Sequence, residues 1–191
     1  MQEEKNELRF QLQSVLRRMS VGERHQRSSR IHNHLFRSEL WYQSSMVFLF
    51  SSLPGEPRTT EVFHQAIKEG KRAAYPRVIP STRGMEFYQV LDLEDLKRST
   101  YGVLEPDPDT SVSVPYSEAD LVLVPGLGFD RTGARLGRGM AYYDHFLSHS
   151  EFKGVSLGIC FQGQIVPSIP LERHDCKVSR IITENSFCEP S

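Results

Sequence analysis

From Asp120 to Leu147 the chain reads DLVLVPGLGFDRTGARLGRGMAYYDHFL, an apolar run that opens into a segment crowded with glycine and arginine. Glycines 126, 128, 133, 137 and 139 let backbone N–H groups come close to a ligand. Arg131, Arg135 and Arg138 carry planar guanidinium forks that match phosphate or carboxylate oxygens. A helix predicted to begin near Met140 turns its positive end into the same space. Asp144, one turn into that helix, stands where a carboxylate could hold magnesium against a phosphate. This chemistry suits polyphosphate binding. Neither common phosphate loop is present: no Gly-Lys-Ser/Thr triplet ends the segment, and Arg131 occupies the place of the third glycine in GxGxxG. A solvated surface loop is the alternative.

Three outlying features could converge on this segment. Lys5 and Arg9 lie one helical turn apart, a mildly repulsive pair that a bound anion would make favourable. Spacing alone fits equally well two solvated cations beside Glu3, Glu4 and Glu7. Glu56, in LPGEPRT, could accept from ligand N–H groups or face solvent. Asp175, after His174, could complete a magnesium site with Asp144 or simply end a turn.

The elements that must position these residues alternate between helical and strand patterns. Leu8, Leu12, Val15, Leu16 and Met19 recur at helical spacing over residues 3–19. Ser20 and Glu23 form a capping-box pattern opening a second helix. SMVFLFS (45–51) is short, continuously apolar and flanked by polar residues, as a central parallel strand requires. Thr60 is placed to cap a further helix that Gly70 stops. AAYPRVI, MEFYQV, LVLV, SLGICF and RIIT supply more strands. The pattern predicts one domain over residues 1–191, a three-layer α/β/α architecture with a mostly parallel, Rossmann-like central sheet and its sites at the strand C-termini. The acidic stretch PDPDTSVSVPYSEAD is expected to be a surface connection.

Composition narrows the function classes. A net charge of -1 and a pI of about 6.7 speak against a general nucleic-acid binder. The basic run Arg17–Arg30, mixed with Ser and Glu, fits a solvated helix face better than an RNA-binding arm. No apolar run reaches membrane-spanning length, and the first residues lack a secretion-signal core. Cysteines 160, 176 and 188, odd in number and without metal-ligand spacing, suit reduced thiols in the cytoplasm.

Taken together, the chain resembles the 5-formyltetrahydrofolate cyclo-ligase family. VPGLGFDRTGARLGRGMAYYDHFL is similar to the family's PGLGFD…G…RLG.G.GYYD block. Further matches follow in the family's order, from residue 5 to about 184: Lys5 with Arg9, Glu56 with Thr59, Gly70-Lys71, Tyr75-Pro76-Arg77, Tyr101-Gly102-Val103-Leu104-Glu105-Pro106, Gln164 before Val166, and His174-Asp175. The resemblance implies ATP-dependent conversion of 5-formyltetrahydrofolate to 5,10-methenyltetrahydrofolate with magnesium, the partners being these small molecules; the sequence leaves monomer and homodimer both open.

The resemblance also implies roles. Lys5 and Arg9 would meet the ATP phosphates. Arg135, Leu136, Gly137, Arg138, Gly139, Met140, Ala141, Tyr142 and Tyr143 would form the nucleotide loop. Glu56 would bind the pterin end of the folate, with Arg138, Gly139, Met140, Ala141 and Tyr142 facing it too. Arg138 and Tyr142 would be the catalytic contacts, and Asp144 and Asp175 the magnesium ligands. One of Tyr142 and Tyr143 is expected to be core. The pattern departs from the family at Met140, where lysine or glycine is usual, at Ala141, where glycine is usual, and at His145 and Ser179. A folate- or nucleotide-binding paralogue with weak turnover is therefore the alternative function.

Overall fold

Strands with no polar face must be covered on both sides, and the most apolar runs of this chain lie at the centre of its sheet. The computed structural model describes residues 1–99 and 102–188, so Tyr101 lies outside the described residues. The helices are α1 (Gln2–Arg18), α2 (Val21–Phe36), α3 (Glu39–Gln43), α4 (Thr60–Lys68) and α5 (Tyr142–Leu147). The main sheet contains β1 (Met46–Phe48), β2 (Arg72–Ile79), β3 (Gly84–Gln89), β4 (Ser113–Val114), β5 (Leu121–Val124), β6 (Val155–Ile159), β7 (Arg180–Ile182) and β8 (Phe187–Cys188).

Its spatial order is β8-β7-β6-β5-β1-β2-β3-β4. The five strands from β7 to β2 are mutually parallel, and β8, β3 and β4 add antiparallel edges. Counted among the parallel strands alone, the order is 2-1-3-4-5, one of the two common doubly wound arrangements. The winding direction reverses between β1 and β5. At that reversal the connections leave on opposite sides, and a crevice opens beyond the strand C-termini.

Side-chain alternation builds the two faces. Val47, Leu121 and Leu123 join α1, α2 and α4 in one core, with Leu16, Ile31, Leu35, Val62 and Phe63. Met46, Phe48, Val122 and Val124 point the other way, onto Phe146 of α5 and onto Phe129. The third layer is thin. It consists of the six-residue α5 and a small sheet of strands 128–130, 135–136 and 165–166.

The capping box is present at α2: the Ser20 hydroxyl accepts from Glu23 N, and the Glu23 carboxylate accepts from Ser20 N. Two expectations are corrected. Thr59, not Thr60, sits at the N-cap of α4, and its hydroxyl caps nothing; it donates to Phe50 O at 2.5 Å and fixes the loop after β1 instead. The acidic stretch is not wholly a surface connection, because Ser113 and Val114 pair with Tyr88 and Phe87 as an edge strand. Val114 is buried there, a burial that two residues are too short to announce by periodicity.

Gly158 in β6 is the point where the second face closes. A β-carbon there would lie 2.5 Å from the Phe129 ring, so the ring packs flat on bare backbone. Gly158→Ala is expected to cost about 1–3 kcal/mol by overpacking, read as a lowered denaturation midpoint at unchanged denaturant slope.

Candidate active site

The glycine–arginine segment folds differently from a simple loop. Residues Gly128–Asp130 and Arg135–Leu136 pair as an antiparallel hairpin. Asp130 makes its turn: one carboxylate oxygen accepts from Thr132 N, Thr132 Oγ1 and Ala134 N, and the other accepts from Ile169 N. These hydrogen bonds outweigh the burial that opposes its charge and hold the Asp130 carboxyl below its ordinary pKa. Arg131 therefore sits exposed at the hairpin tip, away from the cavity, and is not one of the converging cations. Gly128 serves packing rather than ligand approach, since a β-carbon there would meet Leu12 of α1 at 2.5 Å. The buried Gln164 side chain pins the start of the segment by donating to Gly126 O and Leu127 O.

The hairpin delivers residues 137–141 to the crevice between β1 and β5, where a cavity of about 390 Å³ opens. Such a volume is typical of small-molecule sites. Lys5, Arg9, Glu56, every residue from Arg135 to Asp144, and Asp175 border it. The sequence did not single out Glu172, which also lines it, nor the apolar wall of Phe50, Leu53, Val78 and Met85. Val78 and Met85 are cross-strand partners in the β2–β3 hairpin, indistinguishable in sequence from ordinary core positions. Glu172 is tied to Asp175 by a tight local turn that a spacing of three could have suggested.

Charge inside the cavity is paired in advance. Lys5, buried on α1, donates to Asp175 Oδ2 at 2.5 Å and to Glu172 Oε2 at 3.0 Å. Burial opposes the Lys5 charge, but these two carboxylates outweigh it and raise its pKa. The same exchange of burial against the Glu172 amide and Lys5 lowers the pKa of Asp175. Arg135 Nη2 meets Asp144 Oδ2 at 2.7 Å, and Cys176 N donates to Asp144 Oδ1. Arg138 places Nε and Nη2 on Glu56 Oε1 at 3.3 and 3.0 Å, while Leu53 N donates to the other Glu56 oxygen. Burial dominates at Glu56 and raises its pKa despite both partners. Arg9 differs: it donates to Gly137 O and Asn6 Oδ1, both neutral, and makes no ion pair among the described residues.

The carboxylates suit a hard cation. Asp144 and Asp175 border the same cavity and are linked through the Cys176 backbone. Ligand atoms of Glu172, His174 and Asp175 all lie within 4.8 Å of one another, so the structure groups Asp175 with these two residues and groups Asp144 with Arg135. Two polar atoms at the cavity wall have no partner among the described residues: the Tyr143 hydroxyl, whose pKa burial raises, and Arg135 Nε. Tyr142 and Tyr143 both remain half-buried and both pack on the second core, so neither is simply a core residue.

The segment's backbone is strained at one point. Ala141, the N-cap of α5, adopts φ 57° and ψ 14°, and Gly139 has φ 104°. Glycine takes such angles freely, while an L-residue costs about 1–2 kcal/mol. Ala141→Gly is expected to raise the thermal midpoint by about 2–4 °C, measured by calorimetry without ligands.

The chain matches the sequence profile of the 5-formyltetrahydrofolate cyclo-ligase family over residues 1–184. It is 30% identical to a 5-formyltetrahydrofolate cyclo-ligase of Mus musculus, across 95% of this chain and 94% of that one. It is 31% identical to a probable 5-formyltetrahydrofolate cyclo-ligase of Schizosaccharomyces pombe, across 94% of each. The solved structure of Aquifex aeolicus 5,10-methenyltetrahydrofolate synthetase superposes with a TM-score of 0.85 at 28% identity, covering 97% of this chain and 92% of that one. With its central sheet, its switch-point cavity and these relatives in agreement, the chain belongs to the 5-formyltetrahydrofolate cyclo-ligase family.

Proposed function

We propose that the chain acts as one domain that cyclises 5-formyltetrahydrofolate to 5,10-methenyltetrahydrofolate, with ATP converted to ADP and phosphate. The observation that carries this reading is one switch-point cavity in which four cationic side chains face an apolar wall. A triphosphate and a flat heterocycle need those two surfaces side by side. The formyl carbon is a poor electrophile because the nitrogen lone pair is delocalised into its carbonyl, and its oxygen could leave only as hydroxide. Attack of that oxygen on the γ-phosphorus expels ADP and converts the oxygen into a good leaving group. N10 of the folate then attacks the formyl carbon and gives up its proton as the ring closes, and the C–O bond breaks so that phosphate departs with the oxygen.

The protein's part is alignment and charge neutralisation. Arg9, without a carboxylate partner, is the first receptor for phosphate oxygens. Arg138 and Tyr142 reach the transferring group, and Gly137 to Ala141 wrap it. Lys5 spends two of its three N–H donors on Asp175 and Glu172 and so fixes the carboxylates that would hold magnesium together with Asp144. Bound there, the ion would neutralise phosphoryl charge. Glu56 offers an acceptor to the pterin N–H groups at the end of the apolar wall. The three cysteines are all free, as a cytoplasmic protein requires, and no helix among the described residues is long and apolar enough to cross a membrane.

Met140 favours a second reading, because it is 55% exposed at the cavity where the family usually carries lysine or glycine. A binding protein with little turnover would result. The purified chain mixed with 5-formyltetrahydrofolate, ATP and magnesium is expected to generate the methenyl chromophore in an ATP-dependent manner. Binding of both ligands without any absorbance change would establish the second reading.

Two of the five N–H donors of Arg138 rest on Glu56 Oε1, where they occupy acceptor sites that a pterin would use, so phosphate and pterin both compete with this pair. Nucleotide that draws Arg138 away therefore frees Glu56, and the coupling must be reciprocal. Titration calorimetry is expected to show a non-hydrolysable ATP analogue tightening folate binding by about fivefold or more, the low end of ordinary allosteric coupling. Arg138→Ala should abolish that difference. Equal folate affinity with and without analogue in the wild type counts against the exchange.

A further inference from the structure

Outside the cavity, α2 carries a stripe of polar residues directed at one point of the loop that bears Glu56. Ser28 and His32, one turn apart, are 1% and 4% exposed and are buried on the helix along with Ile31 and Leu35. Buried polar groups must be spent on hydrogen bonds, and both are spent on the same residue. Ser28 Oγ accepts from Arg58 N at 3.2 Å, and His32 Nε2 bonds Arg58 O at 2.6 Å. A carbonyl oxygen only accepts, so Nε2 carries the proton. Burial lowers the His32 pKa, with the Arg58 carbonyl and Glu61 opposing and Arg58 and His25 reinforcing, and the ring stays neutral at physiological pH. Further back along the stripe, His25 Nδ1 meets Arg58 Nη1 at 3.4 Å, and the same guanidinium pairs with Glu61. The helix thus grips the amide, the carbonyl and the side chain of Arg58.

The grip reaches the cavity through a stiff link. Arg58 lies two residues beyond Glu56, with Pro57 between them, whose ring fixes φ. Pro57 O accepts from Ser52 Oγ, and Ser52 Oγ also accepts from Thr59 N, so the flanking loop is braced against itself. Two residues of chain span at most about 7 Å, which leaves little slack to absorb movement at Arg58. Resting on the function proposed above, we infer that His32 and Ser28 are positioning residues for the folate end of the site, holding Glu56 at the depth where its carboxylate meets Arg138 or the ligand. Neither touches the cavity, and neither belongs to the motifs that carry the family resemblance.

Steady-state kinetics of the full chain decide the matter, with each substrate varied against a saturating level of the other. A clamp on Glu56 predicts that His32→Ala raises the KM for 5-formyltetrahydrofolate by about three- to tenfold, the reach of one hydrogen bond, with kcat and the KM for ATP unchanged. His32→Gln keeps an N–H donor and should recover most of that loss. Ser28→Ala should move the same parameter in the same direction by less. A role confined to stability would lower the thermal midpoint and leave every KM alone, which overturns the inference. Where His32→Ala fails to fold, Ser28→Ala decides by the same criterion. A wild-type chain that turns over no formylfolate overturns the proposed function instead. The clamp is then judged by amide exchange over residues 56–59: Ser28→Ala should accelerate it while β5 amides hold, and unchanged exchange there sinks the clamp.

Discussion

An arginine and a glutamate that meet across the switch point hold the site together. Glu56 hangs from the loop after β1 and Arg138 from the segment after β5, the two parallel strands from which the chain winds in opposite directions. Winding away in this manner is what opens a crevice, and it leaves the crevice walls to be joined by side chains. The Glu56 carboxylate is 7% exposed, so without a partner it would be a desolvated charge, the expensive case among buried ionic groups. Arg138, at 43%, keeps contact with solvent and can leave. The asymmetry decides which partner is freer to move: the Leu53 amide also holds the carboxylate, and the more exposed guanidinium is the side with room to leave.

The same arrangement recurs around the cavity with different mobility. Arg135 and Asp144 are both nearly enclosed, and removing either member of such a pair costs about 3–5 kcal/mol because the other is stranded. That pair is part of the frame. Lys5 is equally enclosed and ties α1 to the turn at Glu172–Asp175, which explains how a helix at the start of the chain comes to line a pocket whose longest lining stretch is Arg135–Asp144. Arg9 alone among these cations meets only neutral oxygens among the described residues. Under the proposed function an incoming polyanion would find one receptor ready and one that must be exchanged, and the pairing keeps the free cavity from accumulating unpaired positive charge that would repel neighbouring groups.

The sheet was legible in the sequence because its strands are buried on both faces. SMVFLFS and LVLV have no polar side to confuse with a helix stripe, and both lie at the centre of the parallel region. The short edge strand Ser113–Val114 was not legible, because its pairing depends on the neighbouring Phe87 and Tyr88 and not on its own pattern. Site residues followed the same division. Those in the glycine–arginine segment stood out by residue type and spacing, whereas Lys5, Arg9, Glu56 and Asp175 each had a solvated or turn-ending alternative and were singled out by the family resemblance. What each one bonds to was not visible. Arg131 looks in sequence just like Arg135 and Arg138, and only the Asp130 turn sends it outward. Ser28 sits within the basic run Arg17–Arg30 that suggested a solvated face and His32 just beyond it, and their burial depends on where the Glu56 loop crosses α2.

Why the chain retains a left-handed alanine at the mouth of the cavity follows from the same pairs. Positive φ at Gly139 and again at Ala141 reverses the backbone on either side of Met140 and starts α5 at once. That start places Asp144 under Arg135 and Phe146 in the aromatic cluster with Phe48, Phe87 and Tyr116. An unstrained conformation at residue 141 would save about 1–2 kcal/mol locally. It would rotate α5 and break a buried ion pair worth more than that to keep intact, together with the packing of a fully buried phenylalanine. The ion pair and the buried ring together outweigh the strained alanine and hold it in place. Strain of this kind persists where the surroundings over-determine the backbone, and here those surroundings are the walls of the site itself.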